Sequence, residues 1–285
     1  MGRKSTENEK IKKESAFLRF LYGTAAGRII LRPLRAKRLS AAVGAFLDTR
    51  LSKIFIKPFV KSGNIDLSEY ESDNFACFND CFTRKIKDGM RPFDNDPDVL
   101  AAPCDGRLSV CKINGGTVMP VKQSLYTVES LLCSRELAAQ YENGYAFVFR
   151  LCVDNYHRYA YPVSGVKSKN TYINGTLHTV RPIAQRNIRV FCENSREYTV
   201  IDTGAFGSIV QMEVGAMLVG KIKNYNAAPA AVKKGEEKGM FLYGGSTVIL
   251  LTKSDTLTPL PEFIKNTENG IETPIKMGER IAVRQ

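Results

Sequence analysis

The sequence predicts an α+β fold: N-terminal helices followed by a largely antiparallel β body. Three observations predict it. Apolar residues recur at helical spacing mainly before Gly89. After Val99 short apolar runs take over, separated by Gly, Asn and Pro at the spacing of strands joined by turns. Long helical patterns are missing from that second part.

The elements follow in order. Residues 1–14 are polar and charged. From Ser15 the pattern turns helical, with Phe17, Phe20, Leu21 and Ala25 on one stripe and Arg19 and Arg28 off it. Pro33 interrupts a second apolar stretch, Ile29-Ile30-Leu31. Leu39 to Leu47 reads as an alanine-rich third segment ending near Asp48-Thr49. The run from Lys53 to Lys61 interleaves Ile54, Phe55, Ile56, Phe59 and Val60 with lysines. Such a basic, amphipathic stretch, too short to span a bilayer, fits an element lying among anionic headgroups. A solvated basic face on helices packed against the body is the plainer alternative.

Leu67 to Asp88 reads as helix, with Gly89 as its stop. Strands are expected at Leu108–Cys111, Gly115–Pro120, Tyr145–Val153, Gly165–Tyr172, Ile188–Cys192, Tyr198–Asp202, Ser208–Ile222 and Met240–Thr252. One short helix is expected at Thr127–Tyr141, with Leu131, Leu132 and Leu137 toward a core. The segment from Pro259 onward is expected to lie on the surface.

Charge divides the chain in two. Residues 1–62 hold 15 Lys and Arg against 4 Asp and Glu, while residues 63–285 hold 26 against 25. A basic arm, 1–62, is thus expected on a nearly neutral body, 63–285. Without aromatic stacking motifs, a nucleic-acid role for the arm is disfavoured. No run of 18 apolar residues indicates a transmembrane helix, and the charged start lacks a signal-peptide core. Seven scattered cysteines fit a reducing compartment better than a disulfide framework. Cys77 and Cys81 are spaced C-x₃-C, but no histidine or second pair stands near, so no metal site is expected.

Gly244-Gly245-Ser246-Thr247 lies between two apolar runs, Met240–Tyr243 and Val248–Leu251. Two glycines before a serine leave the Gly245 carbonyl unshielded and free to take strained dihedrals. That suits attack by the Ser246 hydroxyl on its own preceding carbonyl. A glycine bulge between buried strands is the competing reading. The chain has only two histidines, His157 and His178, so bases near neutral pH are few. Asp105, between Pro103 and Gly106, marks a tight turn.

An ordered set of motifs carries a resemblance. It comprises Pro103-Cys104-Asp105-Gly106-Arg107, Asn155-Tyr156-His157-Arg158, Tyr161 to Gly165, Gly175 to Pro182, Glu193 to Glu197, Val214 to Gly220, Lys233 to Gly239, and Gly-Gly-Ser-Thr. Upstream, Phe82 to Lys85 and Arg91-Pro92-Phe93 add to it. Together they resemble phosphatidylserine decarboxylase over roughly residues 65–252.

The resemblance implies autocatalytic cleavage between Gly245 and Ser246, with Ser246 becoming a covalent pyruvoyl group that serves as the cofactor. It also implies decarboxylation of phosphatidylserine to phosphatidylethanolamine and CO₂, without a metal. Asp105 matches the family's charge-relay aspartate. The family's motif reads Tyr-His-Arg-x-His, where the second histidine completes a triad; here the first is His157 and the second position is Ala160. Either His157 serves both steps, or His178 fills the vacancy, or cleavage proceeds slowly without a triad base. Ala160 as a change that traps the uncut precursor is a further alternative.

The partners so implied are a phosphatidylserine-containing membrane surface, bound peripherally, and the two fragments 1–245 and 246–285 held together. Oligomeric state stays open, a homodimer included. Competing functions are a non-cleaving lipid-surface binding protein, a pyruvoyl decarboxylase of another serine lipid or amino acid, and a serine hydrolase. The last lacks the Gly-x-Ser-x-Gly elbow, since Val248 stands at its closing position.

Overall fold

The structure, a computed structural model, describes Thr24 and residues 37–115, 117–118, 126–175, 190–215, 222–242 and 246–285. The expected helix from Ser15 and the Ile29–Leu31 stretch lie outside these residues. Among them the architecture is the expected one, helices first and then an antiparallel β body.

The helices Lys37–Leu47 and Ile56–Gly63 flank a 3₁₀ turn, Arg50–Phe55. A small cluster of Leu47, Phe78 and Phe82, joined by Val43, Ile56, Phe59 and Val153, fastens this region to the body. Ser52 accepts the Phe78 N–H at 2.8 Å and donates to the carbonyl of Leu47.

Leu67–Asp88 is not one helix. Only the turn Leu67–Glu69 and the helix Phe78–Phe82 are helical. Short polar side chains take the backbone groups a helix would use: Ser72 binds both the N–H and the carbonyl of Asn74, and Asp80 accepts the Ala76 N–H. The ends meet instead in a bridge between Tyr70 and Ile86.

The β body contains β1 (Val99–Ala101), β2 (Gly106–Asn114), β3 (Thr117–Val118), β4 (Tyr126–Thr127), β5 (Tyr145–Leu151) and β6 (Arg158–Ala160). Then come β7 (Gly165–Lys167), β8 (Thr171–Ile173), β9 (Arg196–Asp202), β10 (Ser208–Val214), β11 (Ile222–Asn224) and β12 (Ala230–Val232). The last are β13 (Glu237–Phe241), β14 (Ser246–Thr252), β15 (Leu257–Pro259), β16 (Thr273–Ile275) and β17 (Arg280–Arg284).

The large sheet runs β12-β7-β9-β10-β14-β5-β2-β3-β4, with β16 beside β2 and β8 beside β9. Two small sheets, β1-β17-β15 and β11-β13-β6, accompany it. Two apolar cores form on its opposite faces. Val148, Met212 and Ile249 face one; Phe147, Phe149, Val248 and Leu250 face the other. A central strand buried on both sides must be apolar without alternation, which explains Val248 to Leu251.

Three further expectations are corrected. The helix expected over Thr127–Tyr141 is broken into Val128–Leu132 and Arg135–Ala139, because Cys133 takes a left-handed conformation (φ 52°) and Ser134 caps a new start. Ile188–Cys192 is not a strand where described: Val190–Glu193 is helical. The segment from Pro259 is not superficial. Pro261 opens a helix, Pro261–Glu268, that buries Phe263, and β17 buries Ile281 and Ala282 between β1 and β15.

Candidate active site

Ser246 heads β14, opposite Leu151 of β5. All seven residues of β14 are buried. Side chains alternate along a strand, so Ser246 faces the same side as Val248 and Leu250. Its hydroxyl is buried and has no hydrogen-bond partner among the described residues. Gly244 and Gly245, and hence the bond expected to break, lie outside the described residues.

Asp105 precedes β2, whose register with β5 sets Arg107 opposite Arg150. Leu151 therefore lies between Gly106 on one side and Ser246 on the other, about 10 Å apart across two strand spacings. Glycine suits position 106, where a Cβ would stand a tight 3.0 Å from the Arg150 carbonyl oxygen. The Asp105 carboxylate accepts Arg91 Nε and Nη2 at 2.9 and 2.8 Å and the Met277 N–H at 2.8 Å. Arg91 also reaches Glu69 at 3.1 Å. Burial opposes the Arg91 charge, but the carboxylates of Asp105 and Glu69 raise its pKa above the ordinary arginine value.

His157 follows the turn after β5 and is fully buried. Its ring lies 4.1 Å from that of Phe82, centroid to centroid. Nδ1 is 2.9 Å from the Asn155 carbonyl, which can only accept, so Nδ1 carries the hydrogen. The turn is held from outside. Arg84 Nη2 donates to the carbonyls of Asp154 and Asn155 at 3.0 and 3.3 Å, and its guanidinium lies 4.5 Å from the Tyr70 ring centroid. The His157 carbonyl accepts the Phe241 N–H at 2.9 Å, which ties the histidine to the last residue of β13.

Ser246 and Asp105 thus stand at the end of the large sheet where β5 finishes, and His157 follows six residues after Leu151, the last residue of β5. His178 lies outside the described residues. Among the described residues, no group of three or more His, Cys, Asp or Glu is arranged to hold a metal ion.

Ser246, Asp105 and His157 all lie within the span matched by a known family. The phosphatidylserine decarboxylase profile matches residues 78–283 of this chain. The chain belongs to the phosphatidylserine decarboxylase family.

Similar proteins span almost its whole length. A phosphatidylserine decarboxylase proenzyme 2 of Clostridium acetobutylicum is 43% identical over 265 residues, covering 93% of this chain and 90% of that protein. The proenzyme of Fusobacterium nucleatum is 40% identical, covering 96% and 93%. That of Clostridium botulinum is 37% identical, covering 99% and 97%.

Ala160, at the position to which the resemblance assigns a second histidine, lines an open pocket of about 190 Å³ with Arg91, Tyr156, Arg158 and Met277. Sequence reading singled out Arg84 and Arg91 only as parts of motifs. Their work, holding the His157 turn and Asp105, depends on contacts across 70 and 14 residues. Nothing local in the sequence signals the first of these.

Proposed function

We propose that this chain is a proenzyme that cuts itself between Gly245 and Ser246 and then converts phosphatidylserine to phosphatidylethanolamine and CO₂. Ser246 carries the reading. Its hydroxyl is buried at the head of a central strand, without a hydrogen-bond partner among the described residues, directly after two glycines. Leaving a buried hydroxyl unpaired costs about 1–3 kcal/mol. A hydroxyl kept in that state fits a group that reacts better than one that packs.

In the cut, Ser246 Oγ attacks the Gly245 carbonyl and the amide becomes an ester. Elimination frees the Gly245 carboxylate, and hydrolysis of the resulting dehydroalanine releases ammonia and leaves residue 246 as a pyruvoyl group. His157 is the base in this reading: with Nδ1–H engaged by Asn155, Nε2 carries the lone pair. Asp105 supplies a fixed negative charge at the same end of the sheet. His178 is the reserve base.

The buried, unpartnered Ser246 hydroxyl marks a position that fits the pyruvoyl group. Once formed, that group supplies an electron sink for the charge left when CO₂ departs. His157 Nε2 then holds the proton returned to the substrate carbon.

Residues 1–62 serve as a membrane-associating arm and 63–285 as the catalytic domain. Leu51 and Ile54 are 73% and 71% exposed, and Phe46 and Phe55 are also exposed. Arg50, Lys53 and Lys57 are exposed beside them. Apolar tips rimmed by cations fit the surface of an anionic bilayer, where each cation contributes about 1 kcal/mol. No helix among the described residues is long and apolar enough to cross a membrane.

Intact-mass analysis of the purified protein beside Ser246→Ala tests the reading. The expected result is two chains, 1–245 and a keto-blocked 246–285, in the parent and one 31.7 kDa chain in the variant. A single uncut chain in both overturns it.

A further inference from the structure

Glu213 of β10 and Lys238 of β13 form an ion pair that neither step above uses. Both are fully buried, and Lys238 Nζ donates to both Glu213 carboxylate oxygens, at 2.6 and 2.8 Å. Asn224 Nδ2 bridges Glu213 and Glu197, at 3.3 and 2.9 Å, and Tyr159 donates to Asn224 Oδ1 at 3.0 Å. Glu213 and Glu197 are themselves opposite each other on neighbouring strands. Two carboxylates so placed repel unless cations and amides intervene.

Stability alone does not explain the pair. Replacing a buried ion pair by apolar side chains of similar volume is often neutral or favourable. What the pair adds is direction: a bidentate charge contact has one register, whereas two apolar side chains slide.

The register concerned is that of the chain entering Ser246. β13 and β14 belong to different sheets, and the chain passes between them from Phe241 to Ser246. On the far side, Thr247 pairs with Val214 of β10. On the near side, Lys238 is bonded to Glu213, the residue before Val214. Lys238, three residues before the passage, and Thr247, just after it, are therefore fastened to two consecutive residues of one strand.

β13 is irregular at this place: Glu237 pairs with Ala160 and Gly239 with Tyr159, with Lys238 as the extra residue. Such a bulge re-aims a side chain, here into the layer that Ser246 also faces. A Cβ at Gly239 would stand 2.3 Å from the Lys223 carbonyl oxygen, so glycine allows β13 to approach β11 beside the bulge. Three residues after Lys238, the Phe241 N–H holds the His157 carbonyl.

We propose that Glu213 and Lys238 are a positioning pair for self-cleavage, fixing β13 against β10 and thereby setting the approach of the chain to Ser246. The proposal rests on the self-cleavage reading above. It distinguishes charge geometry from packing.

The test is a time course of cell-free synthesis, following conversion of precursor to fragments by gel. Four chains are compared: the parent, Lys238→Met, Glu213→Leu with Lys238→Met, and the exchanged pair Glu213→Lys with Lys238→Glu. Thermal melts of each chain on a Ser246→Ala background verify folding.

The apolar double variant is expected to melt no lower than the parent yet to cleave about 100-fold more slowly, the scale of an ångström-size misplacement. The exchanged pair is expected to recover at least half of that loss on a logarithmic scale. Parent-like cleavage in the folded apolar double variant, or in folded Lys238→Met, overturns the proposal. Absence of cleavage in the parent itself overturns the self-cleavage reading instead.

Discussion

The strand β14 and the 3₁₀ turn Arg50–Phe55 both carry large apolar residues, yet they use them in opposite ways. Every residue of β14 is buried, whereas Leu51, Ile54 and Phe55 of the turn are exposed. Leu51 and Ile54 are the most open of them, each with more than two thirds of its surface exposed. In β14 the apolar groups are satisfied by the two cores on either side. Near the N-terminus a comparable investment of apolar surface faces outward, among cations, and fits a partner outside the molecule. Hydrophobicity alone separates neither case; burial does.

The contrast is tested most strongly in the strand. Leu250→Ala, in the core shared with Phe147 and Phe149, is expected to lower stability by about 2–5 kcal/mol, read as a fall in the denaturant midpoint. A loss under 1 kcal/mol would show that this core relaxes freely and would blunt the comparison.

Arg91 joins the two regions, contacting Glu69 before the β body and Asp105 within it. Its side chain is 6% exposed, so Arg91→Ala leaves the Asp105 carboxylate short of its partner in a nearly dry place. A destabilisation of about 3 kcal/mol is expected in a thermal or urea melt. The Asp105→Asn, Arg91→Leu double variant should return part of it.

The outward residues should behave in reverse. Leu51→Ser with Ile54→Ser is expected to change stability by less than about 0.5 kcal/mol. Affinity for phosphatidylserine vesicles in a sedimentation assay should fall about tenfold or more. Full affinity in that variant would move the lipid contact elsewhere.

The smallest effect concerns pH. The hydrogen bond from Arg280, then that from the Asp96 N–H, hold the Asp94 carboxyl below its ordinary value of 3.8. A depressed carboxyl stabilises the fold above that value, and the contribution disappears as pH falls through the folded one. Asp94→Asn should therefore lower Tm by no more than about 2 °C at pH 7, because the pair is half exposed. The difference should close as pH falls through the depressed folded value, below 3.8. A gap persisting there would assign the effect to packing.

Much of this architecture is legible in the sequence. The continuous run Val248 to Leu251 marks a strand buried on both faces, and Asn155-Tyr156-His157-Arg158 marks the turn that carries the histidine. Boundaries are less legible where polar side chains compete with the backbone, as Ser72, Asp80 and Ser134 do. The C-terminal segment misleads because its apolar residues are spaced out, so Phe263 and Ile281 find the core only through long-range pairing. Glu213 and Lys238 look like surface residues in any local window. Only the meeting of two sheets and an irregular register at Lys238 reveals them as a buried pair.

The place of β14 has one more consequence. Residues 246–285 supply β14 between β10 and β5, β16 beside β2, and β17 beside β1, so the short C-terminal stretch is woven through the longer one. A break before Ser246 would leave the folded molecule intact but sever its memory of being one chain. Unfolding would then also be dissociation, and refolding a meeting of two molecules, so the melting temperature would rise with protein concentration where that of an uncut chain would not.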